Sequence, residues 1–180
     1  MAEYVLDTAE LKAKADTLRA GDRVLLSGTV YTSRDAAHKR LVALINEGGE
    51  LPFPLDGSCI YYAGPTPAPE GLAIGSCGPT TSGRMDPFAP LLLDKGLSAM
   101  IGKGERDEAV CDAICRNKAV YLCAIGGAGA LAAKCVEECE EIAFFDLGCE
   151  SVKRIRIKDF PLIVGIDCHG GTMFNGGKSE

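Results

Sequence analysis

Residues 75–86 read Gly-Ser-Cys-Gly-Pro-Thr-Thr-Ser-Gly-Arg-Met-Asp, and they place the hydroxyls of Thr80, Thr81 and Ser82 just ahead of a guanidinium, Arg84. Glycine has no side chain to bury and Pro79 no N–H to donate, so the stretch reads as a loop. Arg84 offers five donors in a planar fork that matches a carboxylate or phosphate. Two more cations stand in comparable surroundings: Arg34 after Val-Tyr-Thr-Ser, and Lys103 between Gly102 and Gly104. Three positive charges beside three hydroxyls are costly unless an anion compensates them, and a dicarboxylate is a good fit. The plainer alternative is that each cation pairs with one of the 25 acidic residues at the surface.

The elements that must position these residues follow from hydrophobic spacing. Thr8 is a plausible cap for a helix with Leu11, Ala15 and Leu18 on one face, and residues 23–31 read as a strand. Ser33 is expected to cap a helix over 34–47, ended by Gly48-Gly49, with Arg34 and His38 one turn apart at its mouth. A strand over 59–63 leads through Pro65, Pro67 and Pro69 to the hydroxyl-rich loop. Beyond the loop, Asp86 and Pro87 suit the start of a helix over 88–95. A strand over 97–101, a helix over 105–117, a strand over 119–125, a helix over 128–138 and a strand over 142–145 come next. Residues 152–157 alternate apolar and basic types and 162–166 are apolar, which predicts two further strands. Arg34, Thr80, Lys103 and the turn at 126–129 all fall where a strand, or a loop after one, gives way to a helix. In α/β sheets such junctions collect at one edge, so one pocket is expected to hold them.

Two other patterns compete for attention. Cys111/Cys115 and Cys135/Cys139 are i, i+4 pairs that would each share a helix face. Their spacings differ from common zinc and iron–sulfur motifs, and buried reduced cysteine explains the same pattern, so no metal site is expected in this chain. His38 and His169 are too isolated to change that. Gly127-Ala128-Gly129-Ala130-Leu131-Ala132 follows an apolar strand and matches G-x-G-x-x-A, with Asp146 near the separation of a dinucleotide fingerprint. That unit begins two thirds of the way along the chain and leaves too little sequence for a full dinucleotide fold. Close packing of small residues is the preferred reading, with a nucleotide-binding oxidoreductase domain kept as an alternative.

The 180 residues are 47% hydrophobic, enough for one domain with a real core. A net charge of −6 with scattered basic residues argues against a nucleic-acid or anionic-membrane surface. There is no spanning apolar run and no signal-peptide pattern, and the nine cysteines read as reduced thiols, so the protein is expected to be cytoplasmic.

Together, residues 26–40, 60–67, 75–86, 102–104 and 124–131 resemble the β subunit, or C-terminal domain, of iron–sulfur hydro-lyases of the class I fumarate hydratase and L(+)-tartrate dehydratase type. The likeness covers residues 20–168 in order. It implies an α/β fold: a single β/β/α swivelling domain with a central mixed sheet and flanking helices over 21–168, a helical lead-in over 1–20 and a polar flexible tail over 169–180. It also implies that Arg34, Arg84 and Lys103 bind substrate carboxylates and that Thr80 is the base moving the C3 proton. The [4Fe-4S] cluster is implied to sit on a partner α subunit, in a hetero-oligomer with two copies of each chain. The expected activity is reversible hydration of fumarate to L-malate, inactive without the partner. The alternatives are the tartrate dehydratase β subunit, the oxidoreductase domain above, and a non-catalytic organic-acid-binding module.

Overall fold

The architecture is built on β2 (Arg23–Thr32), which has neighbours along both edges. In the computed structural model, which describes residues 1–124 and 129–174, β1 (Glu3–Asp7) and β3 (Cys59–Tyr61) pair parallel with successive parts of one edge of β2. The other edge pairs antiparallel with β7 (Val152–Ile166), from Arg23 opposite Ile163 to Thr32 opposite Lys153. From β3 the sheet continues parallel through β4 (Ala99–Gly102) to β5 (Val120–Cys123), and β5 then meets β7 antiparallel. The mixed sheet therefore closes into a ring, β2-β3-β4-β5-β7 and back to β2, with β1 and β6 (Val136–Ala143) attached outside it.

Closure requires β2 to bend. Its register with β7 shifts between Leu26 and Gly28, and Gly28 adopts φ +113°, which favours glycine. A Cβ there would lie 2.4 Å from Thr8 Oγ1, whose oxygen accepts from Thr29 N at 3.0 Å. Successive strand residues face opposite sides, and both sides are buried. Tyr61, Ile101, Leu122 and Val164 belong to the core enclosed by the ring. Ile60, Tyr62, Met100 and Tyr121 face the outer layer of α2 (Asp35–Glu47), α3 (Ala89–Asp94) and α4 (Glu108–Arg116).

Several local expectations change. Residues 3–7 form a strand ahead of the short α1 (Leu11–Lys14), and Asp7 caps the intervening turn in a reciprocal box with Glu10; Thr8 is buried instead. Arg34, not Ser33, occupies the cap position of α2 with extended backbone, and Ser33 Oγ bonds His38 Nδ1 at 2.8 Å. Asp86 does not cap the following helix because Arg106 claims its carboxylate, and α4 starts later, capped by Asp107. The helix expected over 128–138 is α5 (Gly129–Lys134), after which the chain becomes β6; its residue 128 lies outside the described residues, as does residue 125 of the preceding strand. Cys135 and Cys139 therefore share no helix face. The strands expected at 152–157 and 162–166 are one strand, kinked where Asp159 takes φ +48°. Its basic residues meet the acidic β6, with Arg154 paired to Glu140 and Arg156 to Glu137. The tail expected over 169–180 is described only to residue 174, and no described helix is long and apolar enough to cross a membrane.

His38 carries a testable consequence of this packing. It is fully buried on α2 between the rings of Tyr62 and Phe88, and burial lowers its pKa from 6.5 to about 4. The unfolded chain then binds a proton that the native state refuses. The associated stability is fully present above pH 6.5 and is lost as pH falls toward 4, amounting to about 3 kcal/mol. Urea melts should show this loss in the wild type, and its upper part, from pH 7 to 5, lies above the range where most carboxylates titrate. His38→Gln should flatten the slope between pH 7 and 5, and an unchanged slope would assign it to other groups.

Candidate active site

β2, β3, β4 and β5 run parallel, so the segments after their C-terminal ends meet at one edge. Arg34 follows β2 and Lys103 follows β4. The hydroxyl-rich loop is drawn in between them: Thr80 N donates to Tyr62 O at 2.7 Å, Thr81 bridges to Lys103, and Ser82 N donates to Lys103 O at 2.9 Å. Thr80, Arg84, Lys103 and Arg34 thus share the edge that strand-to-helix spacing predicts. The turn at 126–129 also expected there lies, except for Gly129, outside the described residues; Gly129 O accepts from Cys77 N at 3.1 Å.

The loop is held from beneath. Arg106, whose side chain is wholly buried, donates through Nε to Asp86 Oδ1 at 2.6 Å, and Asp86 Oδ2 accepts from Asp107 N at 2.8 Å. Its guanidinium lies over the rings of Tyr62 and Tyr121, at 5.2 and 5.0 Å from their centroids. The Tyr121 hydroxyl lies 2.8 Å from Ser82 Oγ and 2.9 Å from the Gly104 carbonyl, and Tyr61 donates to Cys77 O at 2.5 Å. The fit explains Gly102: a Cβ there would lie 1.9 Å from Ser82 Oγ and 2.9 Å from the Tyr62 ring. A short 3₁₀ turn, Ser82–Met85, then sends Arg84 outward.

Contrary to the expected uncompensated charge, both arginines have carboxylate neighbours. Asp35, the first residue of α2, stands between both arginines, with Oδ1 2.9 Å from Arg84 Nε and Oδ2 4.0 Å from Arg34 Nε. Glu150 Oε1 lies 3.3 Å from Arg34 Nε. Both acids approach the Nε side. Among the described residues the outer nitrogens of Arg34 and Arg84 bond no protein group, and Lys103 Nζ has no carboxylate partner. Arg34, Arg84 and the exposed Lys103 therefore share one edge with the half-buried Thr80, an arrangement able to take an organic dianion by its two ends. His38, expected at the mouth beside Arg34, is instead sealed in the core behind it. Sequence reasoning missed Asp35, Glu150 and the Arg106–Asp86 pair; the Arg34-Asp35 neighbourhood was the one available signal.

A cleft of about 510 Å³ lies beside these residues, not over them, between the proline-rich segment (Pro65, Pro67) and Phe145, Cys149 and Lys153. The residues present do not fit an iron–sulfur cluster. All nine cysteines are free, and among the described residues no three thiols converge. Burial pushes the Cys59 thiol up and that of Cys77 to about 12, which suits inert core residues. The dinucleotide fingerprint, whose residues 127–128 lie outside the described residues, lacks its context: β7 separates β5 from β6, and Asp146 sits in the 3₁₀ turn Phe145–Glu150 bonded to Arg40.

Known proteins resemble this sequence over almost its whole length. Residues 1–177 match the family described as "Fumarase C-terminus". The chain is 39% identical over 175 residues to "Fumarate hydratase 2" of Leishmania major, covering 92% of this chain and 31% of that protein. It is 40% identical over 167 residues to "Fumarate hydratase class I, anaerobic" of Escherichia coli (strain K12), covering 92% and 30%. A "Putative L(+)-tartrate dehydratase subunit beta" of Methanocaldococcus jannaschii is 36% identical over 169 residues, covering 91% of this chain and 87% of that protein. The chain thus spans about a third of the length of the fumarate hydratases but nearly all of the tartrate dehydratase subunit. With a mixed sheet whose parallel ends gather Arg34, Thr80, Arg84 and Lys103, and with this match over almost its whole length, the chain belongs to the fumarase C-terminal family.

Proposed function

We propose that this chain is the β-type half of a class I fumarate hydratase, completed by a cluster-bearing α subunit. The observation that carries this reading is the pair of arginine forks on the edge that also carries Thr80 and Lys103, with Arg84 bonded at Nε to Asp35 and Glu150 3.3 Å from Arg34 Nε. Arg34, Arg84 and Lys103 would bind the two carboxylates of fumarate or malate. In the dehydration direction Thr80 would take the C3 proton of malate while the C2 hydroxyl leaves on the partner's side. Charge building next to the carboxylate is stabilised by cations that are already in place. A threonine hydroxyl is a poor base unaided, and Arg84, one turn along the loop, lowers the cost of its alkoxide. A [4Fe-4S] cluster on the partner would supply a Lewis acid for the hydroxyl. The free thiols are in keeping with a reducing, cytoplasmic setting.

A second reading, the β subunit of an L(+)-tartrate dehydratase, is favoured by the relative whose length this chain nearly matches. Both substrates present two carboxylates, so turnover on each separates the readings. The isolated chain is expected to be inactive on fumarate and tartrate, and addition of the partner should restore turnover on fumarate. Activity of this chain alone would contradict the two-part site.

In the assembled enzyme, Thr80→Val keeps the volume and removes the hydroxyl, so kcat should fall steeply with little change in KM. Exchange of the malate C3 proton with deuterated water follows the same step. Wild-type exchange in Thr80→Val would move the base to the partner. Arg34→Ala or Arg84→Ala should raise KM as well as lower kcat, by the equivalent of about 2–4 kcal/mol for each lost charge-assisted contact. An unchanged KM would make these arginines structural.

A further inference from the structure

At the end of the ring away from the cations, the chain leaving β7 returns to the N-terminal turn. β7 runs antiparallel to β2, so its last residues lie beside Arg23, where β2 begins. There Asp16, Cys168 and His169 bring a carboxylate oxygen, a thiol sulfur and an imidazole nitrogen within 4.8 Å of one another. His169 Nε2 is 3.6 Å and Cys168 Sγ 3.9 Å from Asp16 Oδ1. A tetrahedral zinc ion held at ordinary Zn–N, Zn–O and Zn–S distances sets its ligand atoms about 3.3–3.6 Å apart. Cys168 Sγ and His169 Nε2 lie within 4.8 Å of each other, so side-chain rotation has to bring the three atoms together around an ion.

Both flanking segments are held in place. Asp167 accepts from Ala20 N at 2.8 Å and from His169 N and Gly171 N at 2.9 Å each, which fixes the turn carrying Cys168 and His169. The Asp16 carbonyl accepts from Arg19 Nη1 at 2.8 Å and lies 2.9 Å from His169 Nε2. When Nε2 turns its lone pair to an ion, the imidazole proton resides on Nδ1 and that carbonyl keeps its bond from Arg19.

We propose that Asp16, Cys168 and His169 form a zinc-binding site, unconnected with the hydro-lyase chemistry, that clips the N-terminal turn to the segment after β7. Sulfur and nitrogen donors disfavour magnesium and calcium and suit zinc. Burial, then the Asp16 and Asp167 carboxylates, push the Cys168 thiol up, so the unmetallated group is protonated at neutral pH. Binding breaks the S–H bond, releases the proton to solvent and forms the Zn–S bond. The thiolate and Asp16 then balance the ion's two positive charges. Arg19 opposes the ion, but its guanidinium is turned to the Asp16 and Leu18 carbonyls. Three protein ligands, two of them exposed, leave a fourth position for water. This revises the expectation that none of the nine cysteines is a ligand.

Cobalt(II) is the probe, since it reports thiolate ligation by a near-ultraviolet charge-transfer band and tetrahedral geometry by intense visible bands. The whole chain, kept reduced, should bind one cobalt with both signatures, and zinc should displace it and raise the melting temperature. Cys168→Ser should abolish the charge-transfer band, whereas Cys115→Ser should leave it intact. The exposed substitutions His169→Ala and Asp16→Asn, which do not threaten the fold, should each weaken binding at least about tenfold. A missing band in the wild type, a band that survives Cys168→Ser, or unchanged affinity in either exposed variant overturns the proposal. These readouts are independent of hydration of fumarate, so they stand or fall apart from the function proposed above.

Discussion

The pairing of Arg106 with Asp86, closed between the rings of Tyr62 and Tyr121, is the constraint on which the site depends. A guanidinium stripped of water is tolerable only where a carboxylate and aromatic faces replace the solvent, and removing one partner of such a pair typically costs about 3–5 kcal/mol. The pair also unites elements that are distant in sequence. Tyr62 follows β3, Arg106 stands between β4 and α4, Tyr121 lies in β5, and Asp86 ends the loop. A loop rich in glycine, threonine and serine has little apolar surface with which to hold itself in place, and here buried charge does that work.

The edge that carries Thr80 combines this rigid floor with a more exposed rim. Thr80 is fixed through its backbone, whereas Arg84 is bonded at Nε alone, Arg34 has Glu150 as a charge neighbour, and among the described residues the outer nitrogens of both bond no protein group. Asp35 and Glu150 offset two of the three positive charges, so the open surface is stable without a bound anion while its hydrogen-bonding capacity is retained. Such a design suits half of a divided site. On the function proposed above, the groups that would grip the ends of a substrate wait on one chain, and the reacting centre would be screened from water only when the other chain covers it.

Much of this was legible in the sequence, for reasons that differ from place to place. β2, α2 and the apolar runs of β3, β4 and β5 carry strong periodicity or continuous apolar character, and buried parallel strands depend on little else. Arg34, Thr80, Arg84 and Lys103 were visible because glycines and hydroxyl residues mark the loops that carry them. Hidden features arose from distant partners. Asp86 has every local mark of a helix cap, yet Arg106, twenty residues on, takes its carboxylate. Spacing predicts that residues 136–138 end a helix and that 142–145 form a strand, but the basic alternation of β7 draws Val136–Ala143, with Glu137 and Glu140, into one edge strand. Glu150 as the neighbour of Arg34 could not be read from spacing, because it reaches Arg34 only through the fold.

The central claim is that the buried ion pair, and not the loop's own sequence, fixes Thr80 and its neighbours. It is tested most directly by amide hydrogen exchange in the double substitution Arg106→Met with Asp86→Leu, which replaces both charges with apolar groups and leaves neither uncompensated. The account predicts that Thr80 and Ser82, whose amides bond Tyr62 O and Lys103 O, lose protection at least about tenfold while Leu26 and Val164 in the ring keep theirs. Unchanged protection at Thr80 and Ser82 would contradict it.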